Sequence, residues 1–325
     1  MNQNKKPATD CVFCHKCQDN CVFLSKYGID IGDVDRLREL AYHCFLCGRC
    51  SEVCPVGIDG RAVILEMRQD AAQSAKAGAL EKSYKGLLSE KRNYKFRNYK
   101  HAKPGTVFFP GCNLPSLYPK TVKKLVSMFR EVGIETVYDC CGKPIAELGF
   151  KADDDRIISD LNDRFKANGI TEIVVACPNC RDFFGDRLDV KITGVYEKLH
   201  ELGMGNAIDR DIIVFVPCPD RERRIWIEEM KLFARGEIKV VQGVQCCGLG
   251  GSAIKYEPKL AAAFTQKLSD ELAGETLTCY CASCAGRIRR NGYSNVSHIL
   301  TEVLGINENP DTGKSYINRM LTRIK

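Results

Sequence analysis

Cysteine is the residue type with the most chemistry to offer in this chain: 19 of the 325 residues carry a thiol. A thiolate is a nucleophile and a soft metal ligand. Sulfur at this density can staple loops, hold metal, or sit buried as a small apolar spectator. Staples belong mainly to short secreted domains. The stretch MNQNKKPATD at residues 1–10 is polar and lacks the apolar core of a secretion signal. The longest apolar runs, such as Ile212 to Val216, are strand-sized and far short of a membrane span. A reducing, cytoplasmic setting is therefore expected, and there metal ligation is the leading account of the thiols.

The spacing sharpens that account. Cys11, Cys14, Cys17 and Cys21 form C-x-x-C-x-x-C-x-x-x-C, and Cys44, Cys47, Cys50 and Cys54 repeat it, followed by Pro55. Two-residue gaps let one turn of backbone aim three thiolates at one cubane, and the fourth closes the tetrahedron from elsewhere. This is the bacterial ferredoxin pattern, in which three cysteines bind one [4Fe–4S] cluster and the fourth crosses to the other. Val22 stands where the second run has Pro55, a difference in loop stiffness and not in ligand count. Zinc also accepts C-x-x-C pairs but needs no third cysteine at this interval. His15 and His43 adjoin the ligands, as hydrogen-bond donors to sulfur or simply as polar residues in tight loops.

The other cysteines repeat in a second way. Cys112, Cys140-Cys141 and Cys177/Cys180 recur as Cys218, Cys246-Cys247 and Cys281/Cys284, offset by 106 residues and then 104. Each copy reads Cys, 27 residues, Cys-Cys-Gly, 35 or 33 residues, then C-x-x-C. The flanks agree: VFFPGC (107–112) parallels VFVPC (214–218), and VVACPNC (174–180) parallels TCYCASC (278–284). Five matched positions with one small slip indicate a duplicated unit. Five thiols with an adjacent pair over-supply both a cubane and a zinc ion. Either one thiol is redox-active beside a cluster, or the cluster is unusual and bridged by thiolates.

The elements that must position these thiols can be read from periodicity. Val34, Leu37, Leu40 and Ala41 recur at helical spacing between the two runs, and a second helical stretch covers Arg61 to Gln73. In the repeats, apolar strand-like segments (106–109, 173–176, 212–216, 276–278) precede cysteines. Helical stretches (120–131, 222–233, 260–272) alternate with them. That alternation predicts an α/β fold with parallel strands, whose carboxyl ends gather the ligand loops. Gly111, Gly142 and Gly248 suit turns where backbone passes close to a bulky cluster. Residues 91–103, KRNYKFRNYKHAK, interleave cations with aromatics. They suggest a solvated helix end and linker before Pro104-Gly105, with docking of an acidic electron-transfer partner or grip on nucleic acid as lesser readings. The expected division is 1–103 for an all-helical ferredoxin-like domain plus linker, 104–208 for the first α/β unit and 209–325 for the second.

The duplicated Cys-Cys-Gly pattern resembles the CCG-domain (cysteine-rich) family. With the ferredoxin runs ahead of it, the chain is similar to the heterodisulfide reductase component that fuses a ferredoxin domain to two CCG domains. It is similar as well to the iron–sulfur subunits of glycolate- and lactate-oxidising complexes. The resemblance implies that Cys112, Cys140, Cys141, Cys177 and Cys180 bind one non-cubane [4Fe–4S] cluster. It implies the same of Cys218, Cys246, Cys247, Cys281 and Cys284, with Gly111, Gly142 and Gly248 beside them. It also implies that the paired clusters cleave a disulfide one electron at a time, although some family members hold zinc or a cubane in one copy. No flavin or nicotinamide fingerprint is present, since GLGGS at 248–252 follows a cysteine pair and reads as a ligand loop. A flavoprotein or membrane cytochrome partner would supply electrons, and a small disulfide or thiol would be the substrate.

The alternative is a pure electron-transfer subunit of a flavin-dependent dehydrogenase complex, passing electrons to quinone or another carrier. A zinc-ribbon scaffold is a third reading. Trp226 is expected in the core and Asp139 as a loop cap. Arg287, Arg289 and Arg290 are expected on a solvated helix face or against an anionic substrate. Cys279 aligns with apolar Val175 and is expected to be a buried spectator. The formal charge of +7 falls to about +3 once two cubanes of about −2 each are loaded, which argues against a nucleic-acid partner.

Overall fold

A computed structural model describes residues 6–324; the first five residues of the polar N-terminal stretch and Lys325 lie outside the described residues. The fold is α/β, with two parallel four-stranded sheets. The strands are β1 (Gly105–Phe109), β2 (Glu135–Thr136), β3 (Ile170–Val175), β4 (Lys191–Gly194), β5 (Ile212–Phe215), β6 (Ile238–Val240), β7 (Leu277–Cys279) and β8 (Val296–His298). The first sheet has the order β2-β1-β3-β4 and the second β6-β5-β7-β8, the same arrangement twice. The repeat in the cysteines is thus a repeat in topology. Register repeats as well: Phe109 pairs with Val175 and Val175 with Gly194, while Phe215 pairs with Cys279 and Cys279 with His298.

The inner strands β1, β3, β5 and β7 are largely apolar and buried, as the interior of a parallel sheet covered on both faces requires. Val107, Phe108, Phe109, Ile173, Val174 and Val175 have no exposed surface. Cys279, on β7, is equally buried. Helix Pro119–Glu131 returns from β1 to β2, and Lys151–Ala167 precedes β3. In the second copy the helix expected over 222–233 is shortened to Ile225–Met230. Buried Asp220 accepts the Trp226 N–H at 3.3 Å and the Tyr280 hydroxyl at 2.8 Å, so the chain ahead of the helix is held as a turn. Trp226 is buried beneath it.

Contacts group the chain into two units that do not follow the linear three-way division. One comprises residues 1–89, 144–154 and 243–268; the other comprises 90–143, 155–242 and 269–325 and holds both sheets. In the first unit, described residues ahead of Pro104 form short helices and no strand, the longest being Gly60–Gln73, whose N-terminus is capped by Asp59. From that helix the fully buried Arg68 donates to the carbonyls of Ala41, Cys44, Glu147 and Gly251. One planar guanidinium thereby ties three separate segments of the unit together.

The segment 91–103 is not a solvated linker. Tyr94 and Phe96 are buried against Cys140 and Cys112, and Asn98 pairs with Tyr138. The aromatics that suggested stacking on a ligand instead cover the first CCG thiols.

Candidate iron–sulfur sites

Every cysteine is a thiol and none is half of a disulfide. In the first unit the two cysteine runs share a backbone signature at an offset of 33 residues. Phe13 and Leu46 have φ of 51° and 52°, and His15 and Gly48 follow at 61° and 77°. Left-handed residues at these steps coil the chain around its own thiols, a strain of the kind stored at functional sites. The turn aims backbone donors at sulfur: Phe13 N–H to Cys11 Sγ at 3.4 Å and Leu46 N–H to Cys44 Sγ at 3.3 Å. Ile58 N–H points at Cys54 Sγ at 3.3 Å.

Burial pushes the Cys50 thiol well above its ordinary range, and the neighbouring thiols of Cys44, Cys21, Cys47 and Cys17 push the same way. Cys21, from the first run, thus stands among the cysteines of the second. Cys44 is pushed up to about 12, by burial and then by Cys21. Cys17, also at about 12 through burial, donates to Asp30 Oδ1 at 3.2 Å. Space is kept at the sulfurs by two glycines without positive φ. A Cβ on Gly32 would lie 2.8 Å from Cys11 Sγ, and one on Gly60 would lie 2.6 Å from Cys50 Sγ. The histidines turn to carboxylates instead of sulfur: His15 Nδ1 is 2.7 Å from Asp30, and His43 Nδ1 is 2.7 Å from Glu257 and 3.1 Å from the Tyr27 hydroxyl.

The first CCG set lies wholly in the second unit, at the carboxyl ends of strands. Cys112 follows β1 by three residues, Cys177 follows β3 by two, and the Cys140-Cys141 pair follows β2. Cys140 Sγ is 3.9 Å from Cys112 Sγ. The thiols of Cys140 and Cys180 hydrogen-bond to Cys141 and hold it down to about 5, against burial. Gly111, at φ 72°, supplies the opening, since a Cβ there would meet Cys180 Sγ at 3.2 Å and Cys177 Cβ at 3.4 Å. Gly142 and Gly248 share the positive φ but face elsewhere: their missing Cβ atoms make room for Ile157 and for the Ala261 carbonyl. At these two the missing Cβ serves helix packing, although the Gly248 backbone N–H still reaches Cys246 Sγ.

Two charged residues serve this set. Burial opposes charge on Lys91, but the thiols of Cys112 and Cys140, and Glu90 at 2.9 Å, keep its ammonium protonated. Asp139 is buried and accepts from Cys140 N–H at 2.8 Å, Arg97 Nε at 3.1 Å and Tyr99 Oη at 3.1 Å, which makes it the loop cap expected.

The second set is divided. Cys218, Cys281 and Cys284 follow β5 and β7 in the second unit, whereas Cys246-Cys247 and Gly248 belong to the first. Gly248 N–H points at Cys246 Sγ at 3.2 Å. Within the second unit the two C-x-x-C loops meet. Asn179 Nδ2, from Cys-Pro-Asn-Cys of the first copy, lies 3.3 Å from Cys281 Sγ of the second, and Asn113 Nδ2 lies 2.6 Å from Ser283 Oγ. Arg289 bonds to the Ser294 carbonyl, and Arg290 to Ser315 Oγ at 3.3 Å, so these two side chains are tied to their own surface.

Asn113, Asn179, Gln245, Lys91, Gly32 and Gly60 were not singled out by spacing. The three amides carried one sequence signal, adjacency to cysteine in Gly-Cys-Asn, Pro-Asn-Cys and Gln-Cys-Cys. Among the described residues no three Cys, His, Asp or Glu side chains converge tightly enough to chelate one ion. Soft thiolates, sulfur-directed N–H groups and glycines that leave room beside the thiols suit iron–sulfur clusters, which are wider than a single ion.

Parallel sheets with thiols gathered at their carboxyl ends define a cysteine-rich α/β protein. Residues 106–185 match the family described as cysteine-rich domain, CCG, and the chain is similar to iron–sulfur proteins. It is 24% identical to one subunit of the fumarate reductase (CoM/CoB) of Methanothermobacter marburgensis, over 88% of this chain and 68% of that protein. It is 22% identical to an uncharacterized iron-sulfur protein of Methanococcus maripaludis, over 82% of this chain and 61% of that one. The chain therefore spans about two thirds of the length of these relatives. A crystal structure of a hypothetical protein from Helicobacter pylori shares the fold, with a TM-score of 0.52 at 12% identity over 88% of this chain and 66% of that one. The domain match and the two sequence relatives support an iron–sulfur subunit of reductase type.

Proposed function

We propose that the chain takes up electrons at two cubane [4Fe–4S] clusters and passes them to clusters held by the two CCG sets, where a disulfide is reduced. Cys11, Cys14, Cys17 and Cys54 would hold one cubane, and Cys21, Cys44, Cys47 and Cys50 the other. Cys112, Cys140, Cys141, Cys177 and Cys180 would hold the first CCG cluster, and Cys218, Cys246, Cys247, Cys281 and Cys284 the second. When bound, such groups supply one-electron redox chemistry and iron that accepts substrate sulfur.

The observation that carries this reading is the meeting of the two C-x-x-C loops through Asn179 and Cys281. A disulfide has two sulfurs, and its reduction takes two electrons and two protons to give two thiols. Neighbouring sites suit a substrate that must be held at both ends. Lys91 offsets thiolate charge at the first site, and Asp139 fixes the Cys140 backbone. Similarity to a reductase subunit implies partner subunits; a flavoprotein or membrane cytochrome would provide the electrons. Among the described residues no helix is long and apolar enough to cross a membrane, and a cytoplasmic setting, with any membrane association through such a partner, belongs to the proposal.

The test is anaerobic turnover of the reconstituted chain with an artificial one-electron donor and a small disulfide. The expected result is release of two thiols per disulfide, above a cluster-free control. Reversible cluster reduction without thiol release overturns the disulfide chemistry and leaves the electron carrier.

A further inference from the structure

Gln245 immediately precedes the Cys246-Cys247 pair, yet its side chain reaches the ferredoxin thiols of the same unit. Its Oε1 accepts the Val22 N–H at 3.0 Å. That bond fixes the amide orientation, because a backbone N–H can face only the oxygen. The Nε2 group is thereby aimed at sulfur, 3.5 Å from Cys47 Sγ and 3.8 Å from Cys21 Sγ. These two thiols come from different runs and belong to one proposed cubane. We infer that Gln245 sets the reduction potential of the cluster on Cys21, Cys44, Cys47 and Cys50, and links that potential to the state of the Cys246-Cys247 loop.

The inference rests on the ligand reading proposed above. An N–H donated to a ligand thiolate withdraws negative charge from the sulfur, which favours the reduced and more negative state of a cluster. Gln245 does this at two ligands at once. One peptide bond separates it from Cys246, whose own sulfur accepts the Gly248 N–H, so a change in that loop moves the amide.

The test is an anaerobic redox titration followed by EPR on the full chain, with iron counted, for wild type, Gln245→Leu and Gln245→Glu. In Gln245→Leu one ferredoxin-type cluster should shift about tenfold toward the oxidised form, which is about 59 mV for a one-electron couple. Gln245→Glu should shift it further, and the other cubane should not move. Cys247→Ser should shift the same potential when Gln245 is present and not in Gln245→Leu. Unchanged potentials at full iron content, or equal shifts of both cubanes, overturn the tuning role; a double-mutant cycle without an interaction overturns the link. Wild-type protein with 15N in its glutamine side chains gives a readout that needs no variant. The reduced signal should show a 15N coupling, and its absence overturns the contact. A wild type with no reducible cubanes refutes the ligand reading itself, whereas normal cubanes indifferent to Gln245 refute only this inference.

Discussion

At the scale of single residues, Gly111 makes the sharpest demand. It is left-handed, and the space where a Cβ would stand is bounded by Cys180 Sγ and Cys177 Cβ. Gly111→Ala should cost about 1–2 kcal/mol from backbone strain alone, and should empty the first CCG site while both cubanes persist. Iron per chain and the EPR of the reduced protein check this; full iron content in the variant would count against that site. Lys91 offers a complementary case, because a buried ammonium beside Cys112 and Cys140 compensates thiolate charge. Lys91→Met should disfavour the reduced state of the first CCG cluster and leave the cubanes unmoved, as a redox titration would report.

Among the elements, β8 and the helix it leads into, Ile299–Val303, carry a pH dependence. His298 ends β8 and its Nδ1 caps that helix by accepting the Leu300 N–H at 3.3 Å. Burial lowers its pKa to about 3. The native state therefore holds His298 neutral, while the unfolded chain takes up a proton below about 6.5. The resulting stability is fully present above that value and is lost as pH falls toward 3, at about 1.4 kcal/mol per pH unit. His298→Asn keeps a capping side chain and removes the titration. Urea unfolding at pH 7.5 and 5.5 should show the wild type losing stability relative to the variant at the lower pH; parallel behaviour would place the imidazole in contact with solvent. The elements were also where sequence patterns read well or failed for identifiable reasons. Strands β1, β3, β5 and β7 were legible because apolar runs end two or three residues before a cysteine. The helix over 222–233 was overextended because Asp220 looks like any acidic residue until Tyr280 is brought to it.

For the whole molecule, the repeat was legible from cysteine spacing alone, and it reappears as two sheets of identical strand order. The burial of Cys279 was legible because it aligns with Val175, and the two occupy equivalent, fully buried strand ends. The burial of Tyr94 and Phe96 was not legible, since a cationic segment with aromatics has the composition of an exposed arm. Nor was the division of the second CCG set, because spacing records order along the chain and not which residues pack together. The roles of Gln245 and Asn179 were hidden for the same reason: a neutral amide carries no pattern until its partner is in place.

The central claim, that the CCG thiols hold the site where substrate sulfur reacts, is tested most directly by low-temperature EPR of the oxidised, reconstituted chain with added thiol. The account predicts a paramagnetic signal that appears only with thiol and disappears in Cys141→Ala, while the signals of the reduced cubanes persist in that variant. An oxidised protein whose spectrum ignores thiol, in a preparation with full iron content, would contradict it.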